Sequence, residues 1–250
     1  MACPIRAQSE QVLVHEALNC AVLNQSLMLY LVPTPIGNLE DITYRAVRVL
    51  QEVDLILAED TRVTRKLLDR YDIETALSSF HSHNEHRRME GILSRLKSGE
   101  TMALVSDAGS PGISDPGFLI VREALAEGIQ MEMLPGATAL IPAVVLSGLP
   151  CEKFHFEGFL PQKKGKQTRL KYLLTLPHTF VMYESPYRVV KTLKMIQELS
   201  DSDRQVSISR ELTKLHEEHL RGKLSEVLEV LSSREKVKGE IVMVVEGADK

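Results

Sequence analysis

The segment of residues 106–117 has the composition of a ligand-binding loop. It reads SDAGSPGISDPG, with three glycines, two prolines and two aspartates, and it follows directly on an apolar run. It lacks the GxGxxG and GxxxxGKS/T spacings of nucleotide-binding loops, and it contains no Lys or Arg to neutralise a phosphate. The loop therefore predicts a site for a neutral or cationic ligand, with Asp107 as its acidic group, rather than for a nucleoside triphosphate.

Two shorter loops carry similar residues. Residues 32–39 read VPTPIGNL, in which two prolines fix a turn and Gly37 lets a ligand approach the backbone. Residues 134–139 read LPGATA, whose small side chains leave room for a flat ligand such as adenine. Each loop also has a simpler interpretation. The first connects a strand to a helix capped by Asp41, and the alanines of the second pack a helix.

Three histidines lie close together in the sequence, at His81, His83 and His86. The HxHxxH spacing would supply three metal ligands, but no nearby cysteine or further histidine completes a recognised pattern. The alternative is a loop that leads into a helix capped by Asn84. We therefore expect no metal and prefer contact between the histidines and a substrate.

A basic segment follows at residues 163–171. Its cations are Lys163, Lys164, Lys166, Arg169 and Lys171, arranged around a flexible Gly165. Such charges bind phosphates without reading sequence. The alternative is a solvated helix face. The run His86, Arg87 and Arg88 is a second possible phosphate contact.

Strands and helices must position these loops, and the sequence predicts that they alternate. Strand-like runs at 29–32, 55–58, 102–106 and 131–134 are separated by helical spacing, as at 44–52, 85–97 and 119–127. Alternation of this kind is typical of βαβ units and a mostly parallel sheet. Because ligands dock at the carboxyl ends of parallel strands, we expect the three loops at that edge.

After residue 150 the pattern predicts a mixed sheet. Strands are expected at 154–159, 180–183, 206–209 and 241–245, and helices at 167–174, 188–199 and 224–231. We predict an α/β protein of two domains. Residues 27–150 form an N-terminal domain with the glycine-rich loops, and residues 151–250 form a mixed α/β domain. Residues 1–26 show no clear period and are interpreted as a dispensable extension that precedes Met28.

Composition excludes several classes of protein. The chain has 250 residues, 44% hydrophobic and 26% charged, which is typical of a globular protein and not of a disordered, collagenous or coiled-coil chain. The three cysteines are widely spaced and favour a reducing cytoplasm over a disulfide framework. The apolar run at 133–151 is broken by prolines and glycines, which favours a buried helix over a membrane span.

The charge differs between the two halves of the chain. The net charge of −4 argues against a protein whose whole surface binds nucleic acid. Residues 1–150 hold 12 Lys or Arg against 19 Asp or Glu, whereas residues 151–250 hold 18 against 15. A polyanionic partner would therefore bind the second half.

Nine sequence blocks together resemble a known family. They are PTPIGNL at 33–39, AEDTR at 58–62, FHSHNE at 80–85, VSDAGSPGISDPG at 105–117, LPG at 134–136, FEGFLP at 156–161, YES at 183–185, RELTK at 210–214 and KGE at 238–240. In this order they resemble the ribosomal RNA small subunit methyltransferase I family, a branch of the tetrapyrrole methylase superfamily. The resemblance extends from residue 28 to about residue 247.

The resemblance implies a two-domain α/β fold, a homodimer and S-adenosyl-L-methionine as methyl donor, bound between the domains. The implied reaction is 2′-O-methylation of a cytidine in 16S rRNA of the small ribosomal subunit, near the decoding centre. The donor contacts carried onto this chain are Pro35, Gly37, Asp107, Gly109, Ser110, Pro135, Gly136, Ala137, Tyr183 and Gly239. Glu184 lies beside them. No metal is needed, because the sulfonium already activates the methyl group.

The acceptor hydroxyl needs a general base, and several side chains are candidates. We predict Glu184, His83 and Lys214 as catalytic residues, with His81, Glu59 and Asp60 as further candidates for the base. In this interpretation, RNA phosphates are bound by Arg62, Arg210, Lys214, His81 and the cations at 163–169. A second role for Arg62, Arg210 and Lys214 is to lower the pKa of the hydroxyl. The alternative for Arg62, Arg210 and Lys214 is ion pairing with neighbouring carboxylates such as Asp60 or Glu211.

Two other functions compete with this one. The first is C-methylation of a porphyrinogen or corrinoid, although the first loop of such enzymes resembles GPG more than PIGNL and they lack the block at 80–85. The second is a ribosome-associated protein that binds S-adenosylmethionine without turnover.

Overall fold

Five short strands build the first sheet, and three of them are apolar runs of four residues. The computed structural model describes residues 28–82, 84–114, 117–162 and 164–248, so the predicted extension 1–26 lies outside it. The first five strands are β1 (Met28–Leu31), β2 (Leu55–Ala58), β3 (Leu77–Ser79), β4 (Met102–Val105) and β5 (Gln130–Met133). Their order is β3-β2-β4-β1-β5 and every pairing is parallel. The sequences LILA and MALV of β2 and β4 are buried throughout, as expected for central strands covered on both faces.

Four helices accompany this sheet: α1 (Tyr44–Glu52), α2 (Thr61–Arg70), α3 (Glu85–Lys97) and α4 (Phe118–Ala126). Each of the first two begins at a side-chain cap. The Thr43 hydroxyl accepts a hydrogen bond from the Ala46 amide, and the Asp60 carboxylate accepts one from the Arg62 amide. Helix α1 buries Ala46, Val49 and Leu50, and this i, i+3, i+4 spacing places them on one face.

The second sheet has five strands: β6 (Phe154–Phe159), β7 (Thr179–Glu184), β8 (Gln205–Arg210), β9 (Glu218–Lys223) and β10 (Ile241–Val245). Their order is β6-β7-β10-β8-β9. Only the β6–β7 pair of this sheet is parallel, and the other three pairs are antiparallel. The helices are α5 (Leu140–Ser147), α6 (Lys166–Leu174), α7 (Val189–Leu199) and α8 (Leu224–Ser232).

The predicted fold class and most predicted elements are confirmed. Every strand and helix predicted from the pattern is present, and each end lies within one residue of its predicted position. The sequence did not predict α2, β3 or β9. The apolar run at 133–151 contains α5, which buries one face only and exposes Ile141 and Val145. Within the described part of the chain, no helix is long and apolar enough to cross a membrane.

Contacts divide the chain into two compact units, whose bounds differ from those of the predicted domains at residues 33–42, 108–114 and 136–150. Among the described residues, the first unit comprises 28–32, 43–82, 84–107 and 117–135, and the second comprises 33–42, 108–114, 136–162 and 164–248. Most residues of the three loops thus belong to the second unit, although the sequence pattern assigned them to the N-terminal domain.

Candidate functional site

Backbone hydrogen bonds join the first two glycine-rich loops in the second unit. The Thr34 amide donates to the Gly109 carbonyl at 2.9 Å, and the Gly109 amide donates to the Thr34 carbonyl at 2.8 Å. Gly109 has a φ of +78°, a conformation that favours glycine. The two loops therefore form one rigid unit of backbone.

The third loop packs against the first. A Cβ atom on Gly136 would lie 2.7 Å from the Pro33 Cβ, so only a glycine permits this approach. The Ala137 carbonyl oxygen and the Ile36 side chain both lie within 4 Å of the Cβ position of Gly109. The loops that follow β1, β4 and β5 are thus gathered at one place. They present short side chains and backbone groups.

A turn from the second sheet supports the first loop. The Asn38 amide donates to the Thr213 hydroxyl at 3.0 Å. A Cβ on Gly37 would lie 2.5 Å from Lys214 Cγ and 2.6 Å from Thr213 Oγ1. Gly37 is therefore required for packing against this turn, independently of any ligand.

The same turn has strained backbone. Glu211 and Thr213 have φ values of 55° and 65°, which are uncommon for residues other than glycine, and a β-branched threonine is least suited to them. The Lys214 ammonium lies 3.1 Å from a Glu211 carboxylate oxygen and 3.0 Å from one of Glu240. Strain of this kind occurs where the surrounding structure holds a segment for function.

Lys214 and Gly239 both take part in holding this turn. Burial lowers the pKa of Lys214, but the hydrogen bonds and charges of Glu240 and Glu211 outweigh it and raise the pKa on balance. Lys214 therefore carries its charge at neutral pH and is paired. Gly239, with a φ of +93°, leaves room for the Glu211 side chain, which a Cβ there would overlap.

Glu184, at the end of β7, is buried and fully paired. Its carboxylate accepts hydrogen bonds from the Ser185 amide at 2.7 Å and from the Thr192 hydroxyl at 2.6 Å. It also pairs with Arg188 at 2.9 Å and with Lys166 at 3.2 Å. Burial raises the pKa of Glu184, but these hydrogen bonds and the Lys166 charge lower it on balance. A carboxylate held in this way is a weak proton acceptor.

Tyr183, the residue before Glu184, lies among aromatic rings. Its ring centroid is 5.2 Å from that of Phe156 and 5.5 Å from that of Phe159, with the first pair edge to face. Tyr183 is half-buried in the same unit as the three loops.

In the first unit, three carboxylates gather where β2 and β4 end. The Asp60 amide donates to Asp107 Oδ1 at 2.9 Å, and Arg62 pairs with Asp60 at 2.6 Å. Hydrogen bonds from Arg62 lower the pKa of Asp60 to about 2. Burial raises the pKa of Glu59, and the nearby charge of Asp107 raises it further. Partial shielding from solvent also raises the pKa of Asp107.

The histidine segment leads into α3. Asn84 is buried at the cap position, but its side chain accepts from the His81 amide at 2.9 Å instead of capping the helix. His83 lies outside the described residues. Among the residues that are described, no group of three or more His, Cys, Asp or Glu side chains is arranged to hold a metal ion.

The basic segment separates into paired and exposed cations. Arg169 binds both oxygens of the buried Glu157 carboxylate, at 2.6 and 2.7 Å, and Lys166 pairs with Glu184. Lys164 and Lys171 are exposed, and Lys163 lies outside the described residues. The α6 cations nearest the core are therefore taken up by the chain's own carboxylates.

Two other cations predicted to bind phosphates also have partners within the chain. Arg210 lies 2.9 Å from Glu218, whose carboxylate is shared with Arg234. Hydrogen bonds from Arg234 and Arg210 outweigh burial and lower the pKa of Glu218 to about 2. Arg88 donates to the Ser78 hydroxyl and the Ser79 carbonyl. Sequence reasoning missed Tyr187, an exposed aromatic residue two positions after Ser185.

The chain matches a known protein family over most of its length. Residues 28–228 match the family described as Tetrapyrrole (Corrin/Porphyrin) Methylases. The Ribosomal RNA small subunit methyltransferase I of Thermotoga maritima is 50% identical over 221 residues, which are 88% of this chain and 99% of that protein. The protein of the same name from Bacillus subtilis is 47% identical, over 89% of this chain and 76% of the relative.

Solved structures share the fold. Diphthine synthase aligns with a TM-score of 0.68 and 15% identity, over 88% of this chain and 90% of that one. Uroporphyrin-III C-methyl transferase from Thermus thermophilus, complexed with S-adenyl homocysteine, aligns with a TM-score of 0.62 and 21% identity, over 87% and 96%. The chain therefore belongs to the tetrapyrrole methylase family and, within it, is related to the proteins named ribosomal RNA small subunit methyltransferase I.

Proposed function

We propose that the chain transfers the methyl group of S-adenosylmethionine to the ribose 2′-hydroxyl of a cytidine in 16S rRNA. The observation that carries the proposal is the group of three loops joined by the Thr34–Gly109 hydrogen bonds and by the contact of Gly136 with Pro33. Family membership and the names of the relatives support the reaction class and the substrate.

The residues of the loops suit this donor. Residues 33–39, 108–114 and 136–139 contain no Lys or Arg, so the loops themselves bring no cation to a positively charged ligand. Gly109 has no side chain and Ala137 has only a methyl group, which leaves backbone groups available to a flat base. We propose Pro35, Gly37, Gly109, Ser110, Pro135, Gly136, Ala137, Tyr183 and Gly239 as donor contacts, with Asp107 as the acidic group. When bound, S-adenosylmethionine supplies a methyl group already activated by its sulfonium.

The task left to the protein is mainly to orient the reactants. An in-line transfer requires the hydroxyl oxygen, the methyl carbon and the sulfur to be held on one axis, and such positioning contributes a large part of the rate. Loops joined by backbone hydrogen bonds supply this rigidity better than long side chains do. The strained turn at Glu211–Thr213 holds the first loop through the bond from Asn38 to Thr213.

For the general base, the carboxylates differ in their surroundings. Glu184 is paired four times and its pKa is lowered, which favours a structural role, although it was the first candidate from the sequence. Glu59 has a raised pKa, because burial and the charge of Asp107 disfavour its ionised form. A raised pKa makes Glu59 the better proton acceptor of the two. We keep His83 and Lys214 as proposed catalytic residues.

We also propose that the substrate is presented in the small ribosomal subunit, that the protein acts as a homodimer, and that it works in the cytoplasm. The net positive charge of residues 151–250 favours the second half of the chain as the RNA-binding part. The charged residues of that half include the exposed Lys164, Lys171, Lys236 and Lys238.

Transfer of a labelled methyl group tests the proposal. Purified protein with radiolabelled S-adenosylmethionine is expected to label small subunits from a strain that lacks the gene, and not subunits already modified. Nuclease digestion should place the label on a 2′-O-methylcytidine. Label found in a tetrapyrrole, or donor binding without any transfer to RNA, would contradict the proposal.

A further inference from the structure

Several chain segments leave the second sheet at the same edge. The register pairs Ile241 with Glu184 on one side and with Arg210 on the other, so β7 and β8 end where β10 begins. Phe159 pairs with Tyr183 in parallel, so β6 ends at this edge too. The edge therefore carries the segments that follow Phe159, Glu184 and Arg210, and the segment 236–240 that precedes β10.

At this edge some cations are already paired and others are not. Lys166, Arg188, Arg210 and Lys214 each lie within 4.0 Å of a carboxylate of the chain. Among the described residues, no carboxylate lies that close to the ammonium of Lys164, Lys236 or Lys238, and all three residues are exposed. The unpaired lysines are therefore the ones available to an external anion.

An exposed aromatic ring lies beside one of these lysines, Lys236. Tyr187 is 79% exposed, and the Lys236 ammonium lies 5.7 Å from the centre of its ring. The turn that carries it is rigid: the Arg188 and Val189 amides both donate to the Ser185 carbonyl, and the Ser185 amide donates to the buried Glu184 carboxylate. Because the backbone of this turn is already held, stacking of a flat group on the ring requires no further ordering of the backbone.

We infer that Tyr187 is a stacking platform for an unpaired base of the RNA substrate, with Lys236 and Lys238 binding its neighbouring phosphates. The inference rests on the proposed function and adds one contact between the RNA substrate and the second unit. Exposed aromatic rings flanked by cations are the arrangement by which proteins bind single-stranded nucleic acid, because every base has a face that can stack. Unpaired RNA bases are recognised in the same way.

The absence of tryptophan from the chain allows a direct test of stacking. The variant Tyr187→Trp introduces a single indole at the platform, and Tyr44→Trp introduces one at a site 96% exposed in the first unit. Oligocytidine RNA is expected to quench the emission of the first variant and not of the second. An abasic oligomer of equal length should leave both unquenched. Quenching of both variants to the same degree, or of neither, would overturn the inference.

Binding to unmodified small subunits provides the second test. Tyr187→Ala is expected to weaken binding about 5- to 150-fold, the range found when a stacked aromatic residue is removed, while Tyr187→Phe restores it. The melting temperature and donor affinity should stay unchanged, as should subunit binding by Tyr44→Ala. The double variant Lys236→Ala, Lys238→Ala should lower the salt dependence of binding. A protein with fewer phosphate contacts releases fewer counterions from the RNA when it binds.

The two hypotheses fail in different ways. If the wild-type protein transfers no methyl group to unmodified subunits, the proposed function fails whatever the tyrosine variants do. If the wild-type protein transfers the group and Tyr187→Ala has the same KM for subunits, the stacking platform alone is wrong. A fall in kcat at unchanged KM would also contradict it, because a binding platform acts on affinity.

Discussion

The Lys166 ammonium lies 3.2 Å from Glu184 Oε2, and both side chains are buried, with 11% and 2% of their surface exposed. Lys166 also donates to the Thr192 hydroxyl at 2.6 Å. Helix α6 is thereby joined to the end of β7 and to α7. A lysine that appears in the sequence as part of a basic run is therefore part of the interior of the second unit.

This pairing predicts that alanine substitution destabilises the fold at Lys166 and not at the nearby Lys164. Lys166→Ala removes a partner of a buried carboxylate and is expected to lower the free energy of unfolding by about 2 kcal/mol. The loss is smaller than for a buried pair with no other partners, because Arg188 still binds Glu184. Lys164→Ala removes an exposed charge and should leave stability unchanged. Chemical denaturation of both variants measures the difference.

The salt dependence of RNA binding should change on substitution of Lys164 and not of Lys166. Lys164→Ala is expected to reduce the slope of log affinity against log salt by roughly 0.7 to 0.9 if the lysine binds one phosphate. Lys166→Ala should not change the slope, because its ammonium already binds Glu184. A reduced slope for Lys166→Ala at unchanged stability would show that the sequence-based assignment of this lysine to RNA was correct.

Glu184→Gln tests whether this carboxylate stabilises the fold through its charge. Folding lowers the pKa of Glu184 from its ordinary value of 4.5. The ionised carboxylate therefore stabilises the fold above pH 4.5, and this stabilisation is lost as the pH falls through the lowered pKa of the folded state. The glutamine variant should be less stable at neutral pH and should lose less stability in acid. Unfolding curves between pH 3 and 7, a range of about four units, measure both effects.

A catalytic base would behave differently at this position. If Glu184 accepted the proton of the hydroxyl, Glu184→Gln would lower kcat at unchanged stability. A variant that unfolds like the wild type and has lost its activity would therefore restore Glu184 as the base. Glu59→Gln provides the comparison, because Glu59 has a raised pKa and lies in the other unit.

The sequence was sufficient for elements with a regular apolar period. Helix α1 and strand β2 are predicted to the residue because Ala46, Val49 and Leu50 share a helical face and LILA is a buried run. Strand β9, EHLRGK, has no buried residue and lies at the sheet edge, so it shows no alternation. Strand β3 has only three half-buried residues, Leu77–Ser79, which is too short for a period.

The sequence indicates the three loops, and it indicates the pairing of charges only in part. The ion pairs of Arg62 with Asp60 and of Lys214 with Glu211 agree with the alternative drawn from the sequence. Glycines and prolines determine backbone shape locally, so the three loops are visible in the sequence as ligand-binding candidates. Other pairings join residues of different elements, 12 and 8 positions apart in the sequence. Arg169 binds Glu157 and Arg210 binds Glu218 across elements that only the fold brings together. For the same reason, the exposure of Tyr187 could not be read from its position in the sequence.

Gly37→Ala is expected to displace the first loop. The new Cβ would lie 2.5 Å from Lys214 Cγ and 3.1 Å from the Leu212 carbonyl oxygen, which is backbone and cannot move alone. Donor affinity should fall at least tenfold if the loop holds the donor, and the protein should lose about 1 to 3 kcal/mol of stability through overpacking. Calorimetry with S-adenosylmethionine and thermal unfolding measure the two changes.

Gly91→Ala is the matched control for this substitution. Gly91 lies within α3, and a Cβ there would have no atom within 4 Å. Alanine is the better helix former, so this variant should gain about 0.5 to 1 kcal/mol without any change in donor affinity. Equal donor affinities for the two alanine variants would mean that the position of the first loop does not govern donor binding.

Asp107 predicts a pH dependence of donor binding. Partial shielding from solvent raises the pKa of Asp107 above its ordinary 3.8, and the charges of Asp60 and Arg62 act on it in opposite directions. Since a cationic donor is attracted by the ionised carboxylate, its affinity should fall as the pH drops through this raised pKa, earlier than for an ordinary aspartate. Calorimetric titrations from neutral to acid pH would locate the midpoint.

Asp107→Asn separates the charge of this residue from its structural hydrogen bond. The amide oxygen can still accept from the Asp60 amide, as Oδ1 does at 2.9 Å, so the fold should be kept. Donor affinity is expected to fall about tenfold at neutral pH, since a charged hydrogen bond contributes roughly 1.5 to 3 kcal/mol. The pKa of Glu59 should also move toward its ordinary value, because the Asp107 charge helps to raise it. If Asp107→Asn keeps the wild-type donor affinity and the same pH profile, Asp107 is not the acidic group of the donor site. If the variant loses donor affinity and its affinity no longer depends on pH, the pH dependence of the wild type belongs to this carboxylate.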